Sequence, residues 1–302
     1  MKTDNQPMNV VINLNKPKGI SSQQAVIKVK KYFAARKAGH AGTLDPIATG
    51  VLIVCLNEAT KITRFLSDLN KEYSVRLKFG ERTDTFDVTG RIIEKKDCPP
   101  LSVADISLVL SHFIGQIKQI PPMYSAIKIG GQQLYKLARK GVDIERPERK
   151  ITIYRIDLIN FEQPYLDLNI SCSKGTYIRT LCDDIGNYLG VGAHMVSLER
   201  TRVGSFRIED SVSIEDLKYE KNIWCSIDSA ISYLNEIVLD EESYFKARNG
   251  MPIISNNPPL PPFSKGGLLE INQHVRLKSP EKNLFGIGRV ESGKIKIERL
   301  LN

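Results

Sequence analysis

Apolar residues recur along this chain at two spacings, one typical of strands and one typical of helices. From residue 72 to residue 79 they alternate with polar residues, which predicts a strand with one buried face. Upstream, the spacing changes to three and four residues, which predicts an amphipathic helix with lysines on its other face. A serine just before this stripe can cap the helix. The stripe consists of Ala25, Val26, Val29 and Phe33.

The same two spacings predict the remaining elements. Strands are predicted at residues 10–14, 51–56, 91–93, 151–161, 165–172 and 194–202, an extended segment at 124–129, and helices at 103–113, at 132–140 and up to about residue 190. Strands and helices are mixed without a regular βαβ alternation. This pattern favours an α+β fold around a large mixed or antiparallel sheet.

The pattern changes beyond about residue 238. A short helix at 242–248 and strands at 271–278, 284–290 and 294–300 predict a small, separate, β-rich domain. A Pro- and Gly-rich stretch, 256–267 (NNPPLPPFSKGG), cannot join a sheet interior and is predicted to be an exposed loop. The predicted domains are therefore residues 1–238 and 239–302.

Composition excludes several classes of protein. The chain has 302 residues, of which 41% are hydrophobic and 25% charged, as in a globular protein of more than one domain. Its longest apolar run, 51–56, is far shorter than the roughly 20 residues of a membrane-spanning helix. Polar residues occupy the place of a signal peptide's apolar segment, so we expect a cytoplasmic protein without membrane contact. The five cysteines and four histidines show no metal-ligand spacing, so we expect free thiols and no metal.

Basic residues are concentrated in the first part of the chain. The formal net charge is +9, and residues 1–80 contain 13 Lys and Arg against 5 Asp and Glu. The remaining residues are nearly balanced, at 30 against 29. A local surplus of this kind favours a polyanionic partner, because each neutralised phosphate releases condensed counterions. A solvated basic surface explains the same counts equally well.

The glycine-rich segment 39–50 (GHAGTLDPIATG) is the best candidate for chemistry. It holds His40, Thr43 and Asp45 between apolar elements, a common setting for functional side chains. From this observation alone, Asp45 equally fits a turn or capping carboxylate. A glycoside hydrolase would need a second carboxyl group, and the chain lacks G-x-S-x-G, G-x-x-x-x-G-K-[ST] and G-x-G-x-x-G. A reaction that breaks and remakes a bond within one substrate fits better.

The segment 39–50 closely resembles the active-site motif of the TruB family, the tRNA pseudouridine-55 synthases. Further matches follow in order between about residues 10 and 205. They are Lys16-Pro17, Glu58-Ala59-Thr60-Lys61, Lys71-Glu72-Tyr73, Arg82-Thr83-Asp84-Thr85 with Asp87 and Gly90, Tyr124-Ser125-Ala126, 173–180 (SKGTYIRT), and Gly192-Ala193-His194 leading to Leu198. A collinear set of this length is highly specific.

The resemblance implies roles for individual residues. Asp45 is the carboxylate that attacks the target nucleoside or stabilises its cleaved ribosyl intermediate. Arg179 pairs with Asp45 and keeps it ionised. Tyr73 stacks on the flipped uracil, while Tyr177 and Leu198 line the pocket that receives the base.

The resemblance also implies how the RNA is held. His40 contacts the RNA beside the flipped nucleotide. Residues 117–150 correspond to a basic insertion that grips the RNA stem-loop through its phosphates. Its available charges are Lys128, Lys136, Arg139 and Lys140. A solvated basic helix remains the alternative for these charges.

The implied function is the isomerisation of uridine 55 in the T-arm of tRNA to pseudouridine. The implied fold is a pseudouridine-synthase-like mixed-sheet domain followed by a PUA-like domain. Because the base is retained, the reaction needs no cofactor or metal, and the resemblance implies a monomer that uses no guide RNA. Two alternatives stay open: an RNA-guided relative with protein partners, and a non-catalytic RNA chaperone that remodels tRNA. Turnover separates the chaperone from the enzyme.

Overall fold

The computed structural model describes residues 8–125, 127–219, 224–254, 272–292 and 294–301. The first part contains β1 (Val10–Lys16), α1 (Ser22–Tyr32), β2 (Ala38–Ala41), β3 (Thr49–Leu56), α2 (Thr63–Ser67), β4 (Lys71–Phe79), β5 (Glu81–Thr83), β6 (Ile92–Lys95), α3 (Val103–His112), β7 (Gly115–Gln119), β8 (Lys128–Ile129), β9 (Gln132–Gln133), α4 (Leu134–Ala138), β10 (Arg149–Glu162), β11 (Tyr165–Cys172), α5 (Ile178–Tyr188), β12 (Ala193–Val203), β13 (Phe206–Arg207), β14 (Trp224–Ser226) and α6 (Ile227–Ala230). The last part contains β15 (Asn235–Val238), α7 (Glu241–Arg248), β16 (Ile253–Ile254), β17 (His274–Lys278), β18 (Leu284–Glu291) and β19 (Lys294–Leu300).

A ten-stranded sheet forms the centre of the first part. Its order is β14-β1-β3-β12-β4-β11-β10-β7, with β2 paired to β3 and β13 to β12. Neighbours are antiparallel except β3 and β12, which run parallel. The α+β class and the mixed sheet predicted from the sequence are therefore confirmed.

The main apolar core covers the face of this sheet on which α1, α3 and α5 pack. On β4 the odd-numbered residues are buried and the even-numbered ones are partly or largely exposed to solvent, as the alternation predicts. Capping boxes start two of the helices: Ser21 with Gln24 for α1, and Ser102 with Asp105 for α3. These helices begin where the sequence predicts them to begin.

Two predicted elements differ in the structure. Residues 38–41 form β2, although the glycines around His40 predict a loop, because pairing with the apolar strand β3 supplies the hydrogen bonds. The helix predicted at 132–140 is shorter, since residues 132 and 133 pair with β8 in a hairpin and α4 covers only Leu134–Ala138. In the segment predicted to be extended at 124–129, of which the structure describes all but residue 126, Lys128 and Ile129 form β8.

A five-stranded sheet, β15-β17-β18-β19-β16, forms the last part. It begins at Asn235, before the predicted boundary at residue 238, and it shares an apolar core with the first part through Phe65, Ile287 and Leu301. The domain limits therefore stay a prediction. The Pro-rich stretch 256–267 lies outside the described residues. No helix in the described ranges is long and apolar enough to cross a membrane.

Candidate active site

Asp45 lies in the segment that connects β2 to β3. The Ser22 hydroxyl, in the first turn of α1, accepts from the Leu44 N–H at 2.8 Å and donates to the Leu44 carbonyl at 2.9 Å. The Gly19 N–H donates to the Pro46 carbonyl at 2.7 Å. The residues on both sides of Asp45 are therefore fixed against the start of α1.

The Arg179 guanidinium lies beside the Asp45 carboxylate, so the structure brings together the two residues that the resemblance pairs. Nε of Arg179 is 3.0 Å from Oδ2 of Asp45, and Nη2 donates to Oδ1 at 3.4 Å. The arginine side chain is 5% exposed and the aspartate side chain 32%. The guanidinium is thus enclosed, while the carboxylate is open to an incoming substrate.

Three further groups hold the Arg179 side chain. Nη2 donates to the Tyr124 carbonyl at 2.8 Å, and Nη1 donates to the Thr85 carbonyl at 3.5 Å. Nη1 also lies 3.8 Å from Oδ2 of Asp87, a carboxylate that is itself buried. Oδ1 of Asp87 accepts from both the N–H and the hydroxyl of Thr89. The orientation of Arg179 is therefore set by groups from several separate segments.

The charge of Asp45 reflects opposing influences. Burial raises the pKa of its carboxyl group, the Arg179 guanidinium lowers it, the neighbouring Asp87 raises it and the Lys16 ammonium lowers it. Lys16 is fully buried and donates to two backbone carbonyls. Burial lowers the pKa of Lys16 to about 8, and the Asp45 charge opposes that shift. Two cations thus support an anion in a site that disfavours charge.

Tyr73 and Leu198 form an apolar wall beside the Asp45 segment. Tyr73 on β4 is 8% exposed and Leu198 on β12 is 7% exposed. Both belong to the main core, which also contains Leu44 and Ile47 from either side of Asp45. Burial raises the pKa of the Tyr73 phenol. The Asp45 charge also acts on this phenol, so the structure brings Tyr73 close to the predicted carboxylate, while Leu198 lies two register positions from Tyr73 in the β12–β4 contact.

His40 is half-buried on β2, opposite Val54 of β3. Burial lowers the pKa of its imidazole, and the positive charge of Arg200 lowers it further. Since an ordinary histidine has a pKa near 6.5, His40 is neutral at neutral pH. The Arg200 charge also acts on Tyr73 and Lys16, so these groups surround one buried guanidinium.

Tyr177 is the residue that precedes α5, two positions before Arg179. Its N–H donates to Oε1 of Gln119 at 2.8 Å, and its carbonyl accepts from Nε2 of the same amide at 3.0 Å. The phenol is half-buried, and burial raises its pKa. Gln119 ends β7, so the base of the 117–150 segment is joined to the start of α5.

Four buried polar residues of this site received no role from the sequence: Lys16, Asp87, Gln119 and Arg200. Lys16 and Asp87 stand in sequence runs that match the family, and this match could have identified them as site residues. Arg200 follows Leu198 by two residues on one strand, so strand alternation places both on the same side. A single amide at the end of a strand, such as Gln119, carries no signal of this kind.

A basic cavity lies in the 117–150 segment. Its volume is 540 Å³, and no predicted catalytic or pocket residue lines it. The lining residues are Gly131, Gln132, Gln133, Lys136, Arg139 and Lys140. Lys136, Arg139 and Lys140, which the resemblance assigns to RNA phosphates, therefore share one concave surface.

Comparison with known proteins decides the family. Residues 30–178 match the N-terminal domain of TruB family pseudouridylate synthases, and residues 179–246 match the C-terminal domain of tRNA pseudouridylate synthase B. The chain is 42% identical to tRNA pseudouridine synthase B of Clostridium tetani, over 97% of this chain and 100% of that protein. This chain belongs to the TruB family. The resemblance stated from its motifs is thereby confirmed.

Other relatives and a solved structure agree with TruB membership. The tRNA pseudouridine synthase B of Pasteurella multocida is 41% identical, over 96% of this chain and 94% of that protein. A chain in the crystal structure of a Cbf5–Nop10–Gar1 complex has a TM-score of 0.75 and 26% identity, covering 96% of this chain and 84% of that one. The TruB fold of this chain therefore extends over almost its whole length.

Proposed function

We propose that this chain isomerises uridine 55 in the T-arm of tRNA to pseudouridine, acting alone, with Asp45 as the nucleophile. The observation that carries the proposal is the Asp45–Arg179 ion pair beside the wall of Tyr73 and Leu198. Membership of the TruB family supports the reaction, and the names of the relatives support tRNA as the substrate. Position 55 and the T-arm come from the family resemblance.

The reaction moves a glycosidic bond within one nucleotide. The bond between N1 of uracil and C1′ of the ribose breaks, and a bond between C5 and C1′ forms. The C5 proton is lost and N1 gains a proton, so no co-reactant enters the balance. A carboxylate can form a temporary covalent bond to the substrate and then leave, which splits the exchange into two easier steps. Arg179 keeps that carboxylate charged and aimed at the substrate.

The wall beside Asp45 suits a flipped base. A uracil inside a folded tRNA has to leave its stack before a side chain can reach its ribose. The Tyr73 ring would stack on it, and Leu198 and Tyr177 would close the pocket. His40, neutral and half-buried, would contact the RNA beside the vacated position.

The extent of the similarity favours an enzyme that acts alone. The match with the Clostridium tetani relative covers all of that protein, which is named for tRNA. The chain of the Cbf5–Nop10–Gar1 complex, named together with two partner proteins, is less similar at 26% identity. The RNA-guided alternative is therefore the weaker one.

The decisive experiment combines the purified protein with a tRNA transcript and maps pseudouridine at each position. We expect product at position 55 with the wild type and with the control Asp68→Asn, which alters an exposed carboxylate paired with Lys174. Asp45→Asn should fold and bind tRNA within about threefold, yet lower the rate by roughly 10⁴-fold. Near-normal product from Asp45→Asn would contradict the nucleophile. Absence of product from the wild type would favour a guided enzyme or a chaperone.

A further inference from the structure

Arg200 places a charged guanidinium in the protein interior. Its side chain on β12 is 1% exposed. Nε donates to the Val51 carbonyl at 2.7 Å, and Nη2 donates to the Gly42 carbonyl at 3.0 Å. Gly42 and Val51 stand on either side of Asp45 in the chain. One side chain therefore ties both ends of the segment that carries the nucleophile to β12.

The backbone of Arg200 meets the same segment. Gly50 pairs with Arg200 in the parallel contact between β3 and β12. A Cβ on Gly50 would lie 2.3 Å from the Arg200 carbonyl oxygen, and the φ of Gly50 is +97°, so a glycine is required on both grounds. This close approach fixes the position of the segment along β12.

The guanidinium also lies near the proposed stacking residue. Arg200 stands directly opposite Tyr73 on β4, and its positive charge acts to lower the pKa of the Tyr73 phenol, against the larger effect of burial. The hydrogen-bond partners found for the guanidinium are thus two backbone carbonyls, both of them neutral. Burying a charge on neutral partners is costly, and an apolar side chain of similar size would fill this space at a lower cost in free energy. Packing alone therefore does not explain why an arginine stands at position 200.

We propose that Arg200 is a positioning residue that sets the distance between the Asp45 carboxylate and the Tyr73 ring without touching the RNA. Its planar fork directs donors to two diverging carbonyls on either side of the nucleophile, which a single lysine ammonium cannot match. If this spacing relaxes, the carboxylate and the stacked uracil lose their alignment, and a displacement of about 1 Å can cost roughly 100-fold in rate. The inference rests on the proposed function, since it assigns Arg200 to that same site.

The test compares Arg200→Lys and Arg200→Met with a matched control. Arg276 is also largely enclosed and also donates through Nε to a backbone carbonyl, that of Leu234 at 3.0 Å, but it belongs to the second sheet. The measurements are the single-turnover rate at saturating enzyme, the affinity for tRNA and the unfolding temperature. Wild-type product in the same assay establishes the proposed function separately.

We expect Arg200→Met to lower the single-turnover rate by about 100-fold, with tRNA affinity changed by less than about threefold. Arg200→Lys should recover part of this loss, and Arg276→Met should stay within about threefold of the wild-type rate even if it unfolds at a lower temperature. A wild-type rate in Arg200→Met, or an equal rate loss in Arg276→Met, would overturn the proposal. So would a loss of affinity with unchanged chemistry. If neither Arg200 variant folds while Arg276→Met does, Arg200 is structural and the positioning role is withdrawn.

Discussion

Asp45 has to remain ionised in a place that disfavours charge. Burial and the nearby Asp87 raise its pKa, whereas Arg179 and Lys16 lower it. A raised pKa means that the carboxylate takes up a proton at a higher pH than an ordinary aspartate does. A protonated carboxyl group is a poor nucleophile, so the rate should fall as the pH falls through that value. The two cations oppose this shift and therefore keep the acid limit at a lower pH than burial alone would set.

Replacing Arg179 tests this balance. In Arg179→Ala the pKa of Asp45 should rise further, because burial is no longer opposed by the nearest cation, and the acid limb of the rate profile should move to higher pH. The carboxylate also loses the group that aims it, and a misplacement of about 1 Å can cost roughly 100-fold, so the single-turnover rate should fall by at least about 100-fold. Arg179→Lys keeps the charge but loses the fork and should recover part of the rate.

The measurement is the single-turnover rate against pH at saturating enzyme, together with tRNA affinity. The single-turnover rate should fall far more than the affinity for tRNA. The Arg179 side chain is 5% exposed, and its contacts are two carboxylates and two backbone carbonyls of the protein. If either variant instead binds tRNA weakly while its chemistry is normal, Arg179 is a phosphate ligand. The group that orients Asp45 would then have to be another one.

Elements with a local signal were predictable from the sequence, and those that depend on a partner were not. The starts of α1 and α3 follow from Ser21 and Ser102, whose side chains cap the helix that directly follows each of them. In contrast, β2 is a strand only because β3 lies beside it. The four residues of β2 carry no signal of their own that β3 lies beside them.

The candidate site likewise contains residues that sequence motifs identify and contacts that they do not. The family motifs placed Asp45 and Arg179 together although 134 positions separate them in the chain. They did not reveal the carbonyl of Tyr124 as an acceptor for Arg179, because every residue has a carbonyl and its direction depends on the fold. The burial of Arg200 had one signal, its position two residues after Leu198 on a predicted strand, but arginines are mostly found at the surface.

Gln119 joins β7 to the start of α5 and so acts between two elements. Gln119→Leu leaves the N–H and the carbonyl of Tyr177 without this partner, at about 1–3 kcal/mol each if they stay buried. We expect a lower unfolding free energy and a roughly tenfold slower single turnover, because Arg179 lies two residues further on. Gln116→Leu, an exposed change on the same strand, should alter neither quantity. Equal rates in both variants would contradict the coupling.

Besides Asp45 in the site, Asp184 on helix α5 is a carboxyl group with a raised pKa. Burial and the neighbouring Asp183 raise the pKa of Asp184 to about 7, and Arg82 opposes them. Since the folded pKa lies above the unfolded one, Asp184 stabilises the fold at low pH, and that contribution is lost as the pH rises through about 7. The full shift corresponds to ~4 kcal/mol, and partial exposure of the side chain reduces the expected effect to about 1–2 kcal/mol.

Asp184→Asn should therefore raise the unfolding free energy by about 1–2 kcal/mol at pH 8 and by much less at pH 5. Denaturant unfolding at the two pH values measures this difference. The control is Asp183→Asn, which removes a carboxylate that accepts from Arg82 at 2.8 and 3.0 Å and should destabilise the fold at both pH values. A gain for Asp184→Asn that does not depend on pH would show that the group is not neutral in the folded state at pH 5.

At the scale of the whole molecule, burial and ion pairing reduce the number of free basic side chains among the first 80 residues. Lys16 and Lys71 are buried, and Arg64 and Arg76 form ion pairs with acidic residues outside the first 80. The exposed surplus is therefore concentrated on a surface formed by α1 and the chain on either side of it, the α1 basic surface. It consists of Lys18, Lys28, Lys30, Lys31, Arg36 and Lys37.

Two basic surfaces thus face solvent, the α1 basic surface and the cavity of the 117–150 segment. If both contact tRNA phosphates, the affinity should fall steeply with salt, because each phosphate contact adds about 0.7–0.9 to the slope of log K against log salt. Changing Lys136, Arg139 and Lys140 together to Gln should reduce that slope by about 2 and weaken binding. The same change at Lys28, Lys30 and Lys31 should act alike.

Binding measured across a range of salt concentrations separates these contacts from general attraction. Lys246 and Arg248 on α7 lie on neither surface, so their double change to Gln should leave the slope within about 0.5 of the wild type. Single turnover at saturating enzyme should survive both triple changes, because these cations position RNA rather than react with it. If a triple variant shows the wild-type salt slope, its surface is not part of the RNA interface. A triple variant that binds normally but turns over slowly would instead show that the surface acts on the catalytic site itself.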